Sequence, residues 1–319
     1  MTLREFEYNH SRIVLKSSPL VYQIELTNAC TMKCIMCPRR LMARPIGYMD
    51  EGCFKNIIDQ IEGINTHVLL HHFGESLLHP KLYELLVYLK NKNIKSGLSA
   101  NPTELSQEKI EAICRGGLNE LILSIDASTD STYKSIRGAH ADLDIAMKNI
   151  DNIIAYKKKF SLHNPVITVQ LVKMKKNESE IGDFKRRWNI PGIGNILIKD
   201  FYLWSRSDES IRKEALLSKK VAFFPCAFPW FSVVILWDGR VVPCCNDYDG
   251  LYVLGDLKEK TLKAIWNDSS MLELRRQHIK NQSESNKLCF GCTVKIGHRP
   301  CRFYPFTLNL WFISRKSSS

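Results

Sequence analysis

The sequence predicts an α/β fold with a smaller second unit, on three observations. Over the first two-thirds of the chain, short apolar strands alternate with amphipathic helical stripes. That is the pattern of a parallel sheet joined by helical crossovers. Three cysteines crowd the loop after the first strand, at the strand end where such sheets place their ligands. Past about residue 205 the composition shifts to turns and a second group of cysteines. With 319 residues, 45% of them hydrophobic and 24% charged, the chain is long enough for one large core and a small one.

The elements follow in order. Residues 1–17 carry Arg4, Glu5, Glu7, Asn9 and His10 and no apolar stretch, so no signal peptide is read there. Residues 21–27 (VYQIELT) read as a strand entering the cysteine loop. Residues 50–63 set Phe54, Ile57, Ile58 and Ile61 on one helical face. A short strand at 67–72 precedes a helix at 81–91 striped by Leu82, Leu85, Leu86 and Leu89. The strand at 95–100 leads to a helix at 106–115, which Gly116-Gly117 stops. A strand at 121–125 is followed by a long helix at 142–159 with Leu143, Met147, Ile150 and Ile154 on its stripe. Strands at 166–172 and 195–199 flank a helix at 181–188. Six units are too few for a closed eight-stranded barrel; an open partial barrel and a doubly wound sheet both fit this periodicity. Beyond them, residues 207–220 read as a charged helical stretch, and Asp238-Gly239 as a hairpin turn between 233–237 and 241–242. A helix is expected at 264–278.

Composition excludes several functions. The longest apolar runs, 230–237 and 306–313, fall far short of a membrane span, and a cytoplasmic protein is expected. Eleven cysteines without a secretory signal argue for metal rather than disulfides. Cys30, Cys34 and Cys37 form one group and Cys226, Cys244, Cys245, Cys289, Cys292 and Cys301 another, which suggests two metal centres. Cys53 and Cys114, on predicted helices, read as small core residues. The net charge is +12, but the lysines are scattered, and Lys157–Lys159 close a helix where cations favour the dipole. A nucleic-acid partner is not expected.

The chemistry is concentrated in residues 28–38, NACTMKCIMCP. Three thiolates so close can fill three corners of a four-iron cluster and leave one iron open for catalysis. Zinc is the bland alternative, although it usually takes four ligands. The C-x3-C-x2-C spacing resembles the radical S-adenosylmethionine (SAM) superfamily, and the likeness covers most of the chain. It implies an open iron that chelates the amino and carboxylate groups of SAM. Reductive cleavage of SAM to a 5′-deoxyadenosyl radical would follow, with flavodoxin or ferredoxin as an external reductant.

Other segments fit that resemblance. Met36 stands where the family usually places an aromatic residue near the adenine. Phe73-Gly74-Glu75 resembles the Gly-Gly-Glu segment that holds the SAM amino group, with Phe73 in place of the first glycine. Glu75 also reads simply as a helix-cap acid. Asn101 ends the third strand where the family has a residue near the ribose, and is equally a turn residue. Ser124 and Arg137 sit in Ser-x-Asp…Tyr-x-x-x-Arg-Gly; Ser124 would meet the ribose or carboxylate and Arg137 the SAM carboxylate. A surface salt bridge is the plain reading of Arg137. His71, His72 and His79 are expected near this face.

Toward the C-terminus, Cys226, Gly239, Cys244 and Cys289-x2-Cys292, with Leu254-Gly255-Asp256 and Ile265-Trp266-Asn267, resemble the SPASM/Twitch extension of these enzymes. A full SPASM domain carries seven cysteines. After Cys292 comes only Cys301, nine residues on, so one auxiliary 4Fe–4S cluster on Cys226, Cys244, Cys289 and Cys292 is expected. Zinc on the same four is the structural alternative. Cys245 and Cys301 are left over, and one spare cysteine would suit a hydrogen-atom donor, as in some radical epimerases.

The resemblance thus implies a partial (β/α)6 TIM-like barrel over residues 18–206, after an extension at 1–17. A small α+β Twitch/SPASM-like domain at 207–310 and a tail at 311–319 would complete the chain. The expected activity is hydrogen abstraction from a small polar substrate, sugar-like or of a natural-product pathway, because the N-terminal extension is too short for a peptide-leader recognition domain. A peptide- or protein-modifying maturase is the first alternative. A non-catalytic iron–sulfur carrier or zinc-structured binding protein is the second.

Overall fold

The computed structural model describes residues 1–64, 66–201, 203–204, 207–216 and 225–292. Residues 217–220 of the expected charged helix, Cys301, the apolar run at 306–313 and the tail lie outside the described residues.

The chain opens with helix α1 (Leu3–Asn9), started by a capping box in which Thr2 and Glu5 satisfy each other's backbone N–H groups. Then come β1 (Val21–Ile24), α2 (Glu51–Ile61), β2 (His67–Leu69), α3 (Leu82–Asn91), β3 (Lys95–Ala100), α4 (Gln107–Gly116) and β4 (Glu120–Ser124). They are followed by α5 (Asp130–Arg137), α6 (Leu143–Lys159), β5 (Val166–Lys173), α7 (Ile181–Trp188) and β6 (Asn195–Asp200). The later part holds α8 (Glu209–Glu214), α9 (Phe228–Phe231), β7 (Ser232–Ile235), β8 (Arg240–Val242) and β9 (Gly255–Asp256). Helices α10 (Leu262–Trp266) and α11 (Ser269–Ile279) close it. Side-chain caps fix many helix starts: Asp50 on Cys53 N–H, Ser106 on Lys109 N–H, Thr129 on Thr132 N–H and Asp142 on Ile145 N–H.

The nine strands among the described residues form one sheet in the order β6-β5-β4-β3-β2-β1-β7-β8-β9. Strands β1 to β6 are mutually parallel and in sequence order, the open partial barrel of a (β/α)6 unit. Along them the side chains alternate. Ile24, Val68, Leu98, Leu121, Leu123, Ile167, Val169 and Leu171 are buried in the main core, where α2, α3, α4 and α6 pack. The opposite parity brings Ser99, Ser124, Gln170 and Lys199 to a shared cavity. Register puts Ser124 opposite Gln170 and Val172 opposite Lys199, so the polar residues form adjacent columns.

Three findings differ from the sequence reading. The hairpin of β7 and β8 does not stand apart: β7 pairs in parallel with β1, Val21 opposite Ser232 through Ile24 opposite Ile235. The helix expected at 264–278 breaks at Asn267–Asp268, because Thr261 and Asp268 each cap a new start. The N-terminal residues are tied to the late ones. Trp230 Nε1 donates to Arg12 O at 2.8 Å, Trp266 Nε1 to Ser17 O at 2.8 Å and Arg275 Nη1 to Ile13 O at 2.8 Å.

Candidate active site

The loop after β1 is built from the backbone outward. Thr27 Oγ1 donates to Gly47 O at 2.6 Å and accepts from Ala29 N–H at 3.0 Å. Asn28 bridges the same return segment, Nδ2 to Pro45 O at 2.9 Å and Oδ1 from Gly47 N–H at 2.9 Å. Further on, Lys33 and Ile35 N–H donate to Arg137 O and Ile136 O, which clips the loop to the end of α5. Arg39 Nη2 donates to Cys30 O at 3.0 Å. The result turns Cys30, Cys34 and Cys37 toward one cavity of about 640 Å3, at the carboxyl ends of the parallel strands.

The same cavity is lined by Met36, Phe73, Gly74, Glu75, Asn101, Ser124 and Arg137, so the structure brings the expected SAM-contact residues together around the first thiol group. Gly74 has φ +113°, and a Cβ there would stand 2.2 Å from Thr27 O; only glycine lets this segment lie against the cysteine loop. Glu75 N–H closes the contact by donating to Ala29 O at 2.7 Å. The Glu75 carboxylate accepts from Leu77 N–H at 3.1 Å and Asn101 N–H at 2.7 Å. The cap reading of Glu75 is therefore also true. Burial pushes its pKa up to about 7, against the pull of those two N–H groups. Asn101 Oδ1 caps the next turn and accepts from Tyr133 OH at 3.1 Å, while its buried Nδ2 has no partner among the described residues.

Arg137 is buried, ion-paired to Asp126, and places Nη1 3.8 Å from Cys34 Sγ. The plain surface-bridge reading is thus corrected: both partners are inside, because the αL turn at Asp126 and the end of α5 face the cavity. Ser124 Oγ accepts from Gln170 Nε2 at 3.1 Å. Phe73 stacks edge-on with His72, Trp204 and Tyr248. His71 and His72 line the cavity. His79 does not; its ring bridges Met49 O and Lys81 N–H and shapes the turn before α3.

The second thiol group gathers separately. Cys226, Cys244, Cys289 and Cys292 line one small void with Pro243, Asn246, Leu274 and His278. Asn246 Nδ2 donates to Cys292 Sγ at 3.0 Å, and His278 Nε2 stands 3.6 Å from Cys289 Sγ. Cys245 is outside that lining and falls under the field of Lys199.

Residues 24–186 match the family model of the radical SAM superfamily, and residues 226–293 that of SPASM, an iron–sulfur cluster-binding domain. The chain belongs to the radical SAM superfamily. Among its relatives, the PqqA peptide cyclase of Gluconobacter oxydans is 30% identical, over 83% of this chain and 81% of that one. The S-adenosyl-L-methionine-dependent 2-deoxy-scyllo-inosamine dehydrogenase of Niallia circulans is 19% identical, over 85% and 91%. Among solved structures, BtrN in complex with AdoMet and 2-DOIA shares the fold, with TM-score 0.57 at 15% identity over 87% of this chain and 94% of that one.

As a radical SAM enzyme with a SPASM domain, the protein uses a 4Fe–4S cluster, SAM and auxiliary iron–sulfur. The residues present fit such groups. Burial pushes the thiols up, Cys30 to about 11 and Cys37 to about 12, with Cys34 also raised. A metal's charge is what turns such thiols into thiolates. The unpartnered Asn101 Nδ2 and the close approach at Gly74 are what a bound polar ligand would use. At the second group, burial likewise raises Cys226, Cys244 and Cys289. Among the described residues no three His, Cys, Asp or Glu groups are placed to hold a single metal ion.

Sequence reasoning missed a buried pair that braces this radical SAM enzyme's site. Arg44, on the return from the cysteine loop, forks onto Glu25 with bonds of 2.8 and 2.7 Å. Its Nε donates to Tyr248 O at 2.9 Å, and Glu25 also accepts from Trp237 N–H at 3.2 Å. A charged residue inside the strand VYQIELT was the available signal.

Proposed function

We propose that the protein is a radical SAM enzyme acting on a small polar molecule, with Cys30, Cys34 and Cys37 as ligands of the catalytic cluster. The observation that carries this reading is the cavity of about 640 Å3 that joins those thiols to unpartnered polar groups. That volume lies within the range of small-ligand sites, and it suits SAM with one compact co-substrate. Bound there, the cluster and SAM would supply the radical chemistry that activates a substrate C–H bond, and an auxiliary cluster would supply an electron acceptor for net oxidation.

The chain's part is to bind, orient and keep the site dry. Gly74 and Glu75 would seat the amino group of SAM, Asn101 and Ser124 would meet its ribose, and Arg137, steadied by Asp126, would face its carboxylate. Met36, Phe73 and Trp204 wall off water. We assign one auxiliary 4Fe–4S cluster to Cys226, Cys244, Cys289 and Cys292. Flavodoxin or ferredoxin is the expected electron donor. A cytoplasmic setting would keep the thiols reduced; among the described residues no helix is long and apolar enough to cross a membrane.

The likeness to a peptide cyclase supports a second reading, in which a peptide enters the same cavity. The deciding experiment is anaerobic reconstitution, iron and sulfide counting, and assay of 5′-deoxyadenosine with SAM and a strong reductant. About eight irons per chain and deoxyadenosine formation that sugars or cyclitols stimulate would support the proposal. No deoxyadenosine would overturn it, and stimulation by peptides alone would favour the second reading.

A further inference from the structure

We propose that Lys199 anchors a negatively charged group of the substrate, a carboxylate or a phosphate ester, at the β6 side of the cavity. This rests on the small-molecule radical SAM reading above and narrows it to one substrate class: sugar acids, sugar phosphates and their cyclitol counterparts.

The charge balance of the cavity carries the argument. Among the described residues five cations line it, Lys33, Arg39, Arg40, Arg137 and Lys199, against two carboxylates, Glu75 and Asp126. Most of the cations are already engaged or stand in water. Arg137 pairs with Asp126, Arg40 with Asp208, Arg39 donates to Cys30 O, and Lys33 is exposed at the rim. Lys199 is different. It is half-buried on the inward face of β6, opposite Val172, and among the described residues its ammonium has no hydrogen bond or ion pair. Asp126 and Cys245 reach it only at longer range, and burial pulls its pKa below the ordinary lysine value. A withdrawn ammonium without a counter-ion is costly, and an anionic ligand would restore the balance.

The surroundings say what sits beside that anion. His71 lies in the field of Lys199, and His72 follows it along the same wall. The His72 ring hydrogen-bonds the backbone of Asp247, and among the described residues its buried Nε2 has no partner. Burial and nearby Arg44 keep that ring neutral, its pKa lowered to about 3. A neutral ring whose other nitrogen donates to a carbonyl offers a lone pair here, which suits a substrate hydroxyl. An anionic group and a hydroxyl on one small molecule describe a hydroxy acid or a phosphorylated polyol.

The test uses reconstituted, SAM-loaded enzyme titrated anaerobically by calorimetry with glucose 6-phosphate, glucuronate and glucose. At least one anionic probe is expected to bind about tenfold or more tightly than glucose, about 1.4 kcal/mol. Lys199→Gln should bring that probe to the glucose level, and Lys199→Arg should retain most of the preference. The tighter of the two anions tells phosphate from carboxylate. Glucose binding as well as both anions, no measurable anion binding, or unchanged affinity in Lys199→Gln would overturn the proposal. So would a loss of SAM affinity in that variant, which would make Lys199 a SAM contact. Deoxyadenosine formation by the wild-type protein is read in parallel: its absence refutes the underlying enzymatic reading, whereas its presence without anion preference refutes only this one.

Discussion

Arg44→Met should destabilise the protein by about 3–5 kcal/mol at pH 7, the usual cost of removing one partner of a buried ion pair. Side-chain exposure is 3% for Arg44 and 0% for Glu25, so water cannot replace the guanidinium. The variant loses two bonds to Glu25 and one to Tyr248 O, leaving the carboxylate only Trp237 N–H among its side-chain contacts above. Glu25 can escape by taking up a proton. Starting from an unfolded pKa of about 4.3, holding it neutral at pH 7 costs about 3.7 kcal/mol, at 1.36 kcal/mol per unit. The two routes agree. They also fix the sign of the pH dependence. Burial already raises the Glu25 pKa against the pull of Arg44, and without Arg44 the rise is larger. The folded variant then binds the proton more tightly than the unfolded chain, so stability falls with rising pH above about 4.3. The penalty should therefore shrink by up to about 1.4 kcal/mol for each unit between pH 7 and pH 5. Urea unfolding of reconstituted protein, followed by tryptophan fluorescence at several pH values, measures it. A Glu25→Leu/Arg44→Met double variant should recover most of the loss. A penalty below about 1 kcal/mol at pH 7, or one that grows on acidification, would refute the reasoning.

The remaining predictions concern the two centres. Cys34→Ala should remove about four irons per chain and abolish deoxyadenosine formation while the C-terminal centre stays loaded; loss of all iron together would contradict two independent sites. Cys289→Ala should likewise cost one cluster's worth of iron yet leave SAM binding intact, and an unchanged iron count would sink that assignment. Gly74→Ala puts a methyl group 2.2 Å from Thr27 O at φ +113°, strain of about 1–3 kcal/mol; SAM affinity should drop about tenfold or more, and an unchanged Kd would remove the close-approach role. Glu75, raised to about 7, loses its negative charge below that pH. SAM binding that draws on the carboxylate should weaken by up to about tenfold per unit as pH falls below 7, and Glu75→Gln should flatten the profile.

Much of this architecture was legible because its signals are local. The stripe Phe54, Ile57, Ile58 and Ile61 names the buried face of α2, and these four are its buried residues. Gly117 at φ +84° ends α4 where Gly116-Gly117 marked a stop. Helix α5 was missed because its stripe is only Tyr133 and Ile136 between polar residues, too short for periodicity to speak. In α1 the Thr2–Glu5 capping box was present but the apolar face was not. The cysteine spacing pointed to the first group, since three thiols within eight residues must share a loop. The contacts that place Glu75 against Asn101 and Glu25 against Arg44 join residues on separate segments of the sequence. Nothing in a single sequence couples them. The parallel pairing of β7 with β1 is hidden for the same reason: a hairpin signal says which strands turn back on each other, not which outer edge they will cover.

That last pairing decides what happens if the two parts are cut apart. Without β7, the strand Val21–Ile24 would no longer be interior. It would present a bare row of N–H and C=O groups beside an apolar surface, a template for joining another chain. A fragment ending near residue 206 is therefore expected to self-associate rather than remain a monomeric catalyst. Swapping in a foreign C-terminal domain would succeed only if the newcomer supplied a strand in the same parallel register. The C-terminal part of this protein is, in building terms, a wall shared by both rooms.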